Sequence, residues 1–292
     1  MAALAPGAED GVEAWAERTA IASAAGVRAS ERRTSARRGD RLAVHLADLD
    51  RPPTLDPLPA PAGEAMVPVE GEWPAVLGPV AVAALLEALG RTAFNGLRVA
   101  RGDSPLSGRL GTRVAASAIN LSESPRYTGT LPRSYDAEGT PVQPVPLIQD
   151  GVAHRVVHDS RSAAVAGGGA ASTGHALRAG GDPDGPAPRN LVLVGGGVET
   201  LAELAAPVAD GLYVEAFRDV HTLDETGVVS AVLEGCVLRG AEPAAPLKPM
   251  RFTGAPLALL ASVEALTMRQ ALVAGGTVCP AMRVPALPVE PV

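Results

Sequence analysis

His154 and His158 stand four residues apart, the spacing at which two imidazoles on one helical face can share a zinc ion. The surrounding residues follow Asp150-Gly151 and alternate as a strand does. On a strand the two positions lie roughly 13 Å apart, too far for both rings to reach one metal at about 2 Å. No glutamate follows the first histidine to act as a base, so the pair reads as structural. Cys279 makes a nucleophile only if the fold brings one of His45, His154, His158, His175 or His221 against it and lowers its thiol pKa. No nucleophile motif surrounds it. Cys236, inside VLEGCVL, reads as a small core residue. The glycines of residues 194–198 (VGGGV) lack both the Lys-Ser/Thr of a phosphate loop and the spacing of a dinucleotide loop. They read as a tight strand-to-helix turn. Asp136 and Glu138 are paired carboxylates of the kind that do acid–base work, although Asp-x-Glu-Gly before Thr-Pro is equally a solvent-facing turn. The glycine tract at residues 167–174 reads as a mobile loop over a cleft or as a linker.

The elements that must position these groups are short. Trp73–Leu77 is expected as a strand and Val80–Leu89 as a helix, with Pro79 tolerated in its first turn and Gly90 as its stop. Further on, β-prone runs alternate with turn clusters at 114–121, 142–148, 152–158, 190–194, 211–217 and 228–238, and again around 282–284. Asp150-Gly151 joins two of them as a hairpin turn. Helices are expected at 199–206 and 256–266. Near the N-terminus, residues 9–25 have helical composition, and the Arg-rich run 28–41 reads as strand, followed by the alternation of Leu42, Val44 and Leu46. Residues 51–63 (RPPTLDPLPAPAG) read as an extended linker.

Composition excludes several classes. Hydrophobic residues make up 47% of the 292, enough for a core, but aromatics only 3%, so Ala, Val and Leu must fill it. The net charge of -7 and a single lysine, Lys248, offer no basic surface for nucleic acid. Two cysteines make no disulfide framework and fit a reducing compartment. The N-terminus has no basic n-region of a signal peptide, and the longest apolar stretch, 75–86, is too short to span a bilayer. A soluble cytoplasmic protein is expected.

Several segments in order resemble the TldD/PmbA metallopeptidase family. Residues 101–114 (RGDSPLSGRLGTRV) are similar to its GxSxLxGKLGxxV stretch. Residues 135–143 (YDAEGTPVQ) and 146–151 (PLIQDG) resemble its DxEGxPT segment and following hairpin. Residues 172–175 (STGH) resemble STGN, residues 188–193 (PRNLVL) resemble PTNL, and residues 210–214 (DGLYV) match a late strand. The resemblance implies an α+β fold: a mostly β C-terminal domain with few helices at 64–292, preceded at 1–63 by a truncated α/β remnant and the Pro-rich linker. It implies Asp136, Glu138, Ser172, Thr173 and His175 as substrate-cavity residues. In TldD-type chains a helix carries HExxxH and a later cysteine completes a zinc site. Here the corresponding helix, residues 79–88 (PVAVAALLEA), has no histidine, and Cys279 lacks the family's flanking residues. The resemblance therefore implies a TldE/PmbA-type subunit with no catalytic or metal residues and no cofactor of its own. Zinc is expected in a TldD-type partner, the substrate being an unfolded or modified peptide, with natural-product maturation as one setting. A self-standing hydrolase using Cys279 or Asp136/Glu138, and a non-enzymatic peptide-binding scaffold, are the alternatives.

Overall fold

Residues 13–24 and 27–38 are described as backbone, and residues 58–292 in full except 128–129, 131–132, 224–225 and 274–275, in a computed structural model. The first two segments, β1 (Glu13–Ala24) and β2 (Val27–Arg38), form an antiparallel hairpin. This agrees with the expected Arg-rich strand and corrects the helix expected over 9–25. Alanine and glutamate favour a helix locally, but that preference is small and pairing along a whole strand overrides it. The Leu42–Leu46 alternation and the linker up to residue 57 lie outside the described residues.

Two larger sheets carry the rest of the described chain. The first runs β11 (Glu242–Pro246), β10 (Val229–Arg239), β9 (Asp210–Thr222), β3 (Gly71–Leu77), β16 (Met282–Pro291), β13 (Ala265–Thr267) and β8 (Gly197–Val198). In it β12 (Met250–Gly254) pairs with both β10 and β16. The contact of β3 with β9 is parallel, so the chain must cross over between them, and α1 (Pro79–Thr92) begins that crossover. The second sheet runs β14 (Ala271–Val273), β15 (Thr277–Cys279), β7 (Leu191–Leu193), β4 (Leu121–Glu123), β5 (Val145–Gln149) and β6 (Val152–Ala153). The molecule is α+β, mostly β with few helices, as expected.

Helix α1 packs on β9 of the first sheet and on β14 and β15 of the second. A helix pressed from two sides must be apolar nearly all round, and PVAVAALLEALGRT is. Leu85, Leu86 and Leu89 are buried to within 1%, each stabilising by about 1.5–3 kcal/mol. Gly90 does not stop the helix, which continues to Thr92. A Cβ at Gly90 would lie 2.9 Å from the Pro188 ring, so the glycine serves packing. Asp150 and Gly151 both have positive φ, 49° and 77°, the two-residue turn that matches the twist of paired strands.

Other expectations were too long. The strand expected over 114–121 is confined to β4, because residues 114–119 turn instead. The strand expected over 152–158 ends at Ala153, and Val157 makes only an isolated bridge to Asn95. The helix over 256–266 ends at Ala261 as α5 (Pro256–Ala261), leaving 265–267 to β13. Two helices were not anticipated: α2 (Gly96–Arg101), capped by the Asn95 side chain, and α3 (Ser160–Ala166), closed by a capping box between Asp159 and Ser162. The helix expected at 199–206 is α4 (Leu201–Ala205), capped by Thr200.

Candidate functional site

Where α1 meets β15, three groups with chemistry converge. Cys279 is fully buried, and its thiol donates to the Pro79 carbonyl at 3.2 Å. Burial, and then the nearby Glu87 carboxylate, push its pKa far up. Such a thiol stays protonated and is not a nucleophile. Thr277 Oγ1 donates to Glu87 Oε1 at 3.3 Å. Burial raises the Glu87 pKa, opposed by Arg91 and by the Thr277 hydrogen bond.

Glu87 and Thr277 open onto a cleft of about 800 Å³. Its walls come from the end of α1, from α2 and from the segment 177–189, which contributes Arg178, Asp182 and Arg189. Asn95 holds two of these walls together: its Oδ1 accepts from Leu97 N and Arg98 N, and its Nδ2 donates to the Asp184 carbonyl at 2.6 Å. Asp182 holds the segment in shape, accepting from Asp184 N at 3.0 Å and pairing with Arg178 at 3.0 Å.

The residues singled out in the sequence lie elsewhere. Asp136 accepts from Glu138 N, Thr140 N and Ala176 N at 2.9 Å each, so its carboxylate ties a turn to the strip 172–176. Glu138 accepts from Ser160 N and Ser160 Oγ at 3.1 and 2.6 Å, at the start of α3. Ser172 accepts from Gly174 N at 3.2 Å. Thr173 and His175 are brought together with a residue the sequence reading missed, Glu123. His175 Nδ1 is 2.9 Å from Thr173 Oγ1, and its Nε2 is 3.4 Å from Glu123 Oε1. All three are almost completely buried. Glu123 Oε2 in turn accepts from Arg189 N at 2.9 Å and Asn190 N at 2.8 Å. The sequence signal for Glu123 was a lone acid in the strand β4, whose neighbours face the core. A buried carboxylate there must find donors. His158 Nδ1 reaches Ser162 Oγ at 3.2 Å, and burial lowers its pKa, while His154 is exposed.

The sequence pattern of the PmbA/TldA metallopeptidase C-terminal domain matches residues 70–290. The chain belongs to the PmbA/TldD metallopeptidase family. A curated relative, a metalloprotease of Methanothermobacter thermautotrophicus, is 27% identical over 203 residues, covering 69% of this chain and 44% of its own length. TldE of Thermococcus kodakarensis is similar in fold, with a TM-score of 0.75 at 20% identity, covering 94% of this chain and 62% of its own. A candidate modulator of a DNA gyrase from Thermotoga maritima gives a TM-score of 0.74 at 21% identity, covering 95% and 62%. The chain thus spans less than half of the curated metalloprotease and about three fifths of these two structures.

A metallopeptidase family implies a metal, and the donors of this PmbA/TldD-family chain can be tested against one. Zinc needs three or four nitrogen, sulfur or oxygen ligands converging at about 2 Å, thiols being bound deprotonated. Helix α1 offers one carboxylate, Glu87, and no imidazole. The Cys279 thiol is turned onto the Pro79 carbonyl, with no imidazole of the described residues grouped with it. Among the described residues no group of three or more His, Cys, Asp and Glu is placed to hold a metal ion. The described residues do not fit a zinc site. Among the same residues no helix is long and apolar enough to cross a membrane.

Proposed function

We propose that this chain is the non-catalytic, TldE-like subunit of a heterodimeric zinc metallopeptidase, working with a TldD-type chain that holds the zinc. The observation that carries the reading is the donor set at α1 and β15, one hydrogen-bonded carboxylate and one buried thiol. Its role is to complete and shape a cavity for unfolded or modified peptides, including peptides matured into natural products, in the cytoplasm. The division at residue 63 belongs to the same reading, with 64–292 as the TldD/PmbA-type C-terminal β-rich domain. The likeness in fold to TldE supports it. A hydrolase using Cys279 is disfavoured by the buried thiol with its raised pKa, and one using Asp136/Glu138 by carboxylates engaged with backbone N–H groups and the Ser160 hydroxyl.

Native mass spectrometry with metal analysis tests this, on the chain alone and co-expressed with a TldD-type chain. A one-to-one complex with a single zinc, and peptidase activity absent from this chain alone, is the expected result. Stoichiometric zinc on the isolated chain, or peptide cleavage by it, would overturn the proposal.

A further inference from the structure

The cleft beside Glu87 opposes the molecule that contains it. The chain carries a net charge of -7, yet Arg91, Arg98, Arg101, Arg178 and Arg189 all line this one cleft. Favourable interaction with helix C-termini accounts for Arg91 at the end of α1 and for Arg98 and Arg101 at the end of α2. It does not account for Arg189, which is on no helix. Arg189 is set in place by the buried Glu123 carboxylate, which takes its backbone N–H. Four acids line the cleft beside the five arginines, Glu87, Asp103, Asp182 and Asp184; Asp182 is engaged with Arg178 and Asp184 N, and Glu87 with Thr277. The Arg101 and Arg189 side chains, by contrast, have no hydrogen bond or ion pair within the described residues.

We propose that this arginine cleft is a receptor for peptide carboxylates, of acidic side chains or of a C-terminus. A guanidinium is a rigid planar fork that matches a carboxylate bidentately, and the cleft volume of about 800 Å³ lies in the range of ligand sites. The inference rests on the reading above only in taking the ligand to be a peptide. It gives the chain a selective role, retaining carboxylate-bearing peptides in this cleft.

Fluorescence anisotropy with three labelled, unstructured peptides tests it: one with three glutamates and a free C-terminus, one with those glutamates changed to glutamine, and one with the C-terminus amidated. The first should bind about tenfold more tightly than at least one of the others, as expected for charge-assisted hydrogen bonds. The arm that loses affinity identifies the source of the carboxylate. Arg101→Gln combined with Arg189→Gln should abolish the preference at an unchanged melting temperature, with Arg→Lys at both positions restoring it only in part. Equal binding of all three peptides, or a preference that survives in the glutamine variant, overturns the inference. Run on the isolated chain and on the complex, the measurement separates the two proposals. A zinc-bearing complex without the preference sinks this one alone. A preference without any complex sinks the subunit reading alone.

Discussion

At Cys279 and Glu87 burial decides what the side chains can do. A thiol with its pKa driven up and its proton on the Pro79 carbonyl should resist alkylation in the folded protein. Iodoacetamide labelling followed by peptide mass spectrometry should therefore modify Cys279 only in denaturant; rapid labelling of the native chain would contradict its burial. Cys236, whose pKa burial pushes up to about 12, should behave alike. Glu87 has the opposite consequence for stability. Its folded pKa lies above the ordinary 4.5, so the folded state holds the proton more tightly than the unfolded chain. Below 4.5 both states are protonated and nothing is lost. As pH rises through 4.5 towards the folded value, ionising the half-buried carboxyl costs stability, and the loss then persists. Glu87→Gln keeps an acceptor for Thr277 and removes that loss. Its melting temperature should exceed the wild type's at pH 7 and converge with it at pH 4. A constant difference at every pH would mean that the effect is not titration.

Among the elements, α1 matters most because both sheets lean on it. The sequence predicts residues 80–89 as a helix, and its burial on all sides comes only from the structure. Leu86→Ala should cost about 2–5 kcal/mol, read from the midpoint of a urea transition. A cost below about 1 kcal/mol would mean that the two sheets do not close over the helix. The same reasoning explains which elements were missed. Helices α2 and α3 are too short for a periodic pattern and are held by their caps, Asn95 and the Asp159–Ser162 box. Such caps look like ordinary polar residues until the chain closes on them. The helical composition of residues 9–25 misled for the converse reason, since the partner strand 27–38 supplies backbone hydrogen bonds that no local preference reveals.

For the whole molecule, if the proposed zinc-free reading holds, the chain does not depend on zinc to stay folded. EDTA should leave the thermal transition of the isolated chain unmoved, whereas a structural metal would contribute several kcal/mol to folding and its removal would be plain. Family and fold class were legible in the sequence. Ordered short motifs from residue 101 to residue 214, the turn at Asp150-Gly151, and a core built from Ala, Val and Leu are local or compositional, and survive in a linear text. The absence of histidine from residues 79–88 is likewise a fact of composition. The tertiary structure alone brought Glu123 under His175 and Arg189, seated Cys279 on Pro79, and turned Asp136 onto backbone donors and Glu138 onto Ser160. It alone gathered arginines from residues 91 to 189 around one cleft. Those pairings join positions far apart along the chain, and burial, which sets a pKa or leaves an arginine fork free, depends on what packs against a residue rather than on what precedes it.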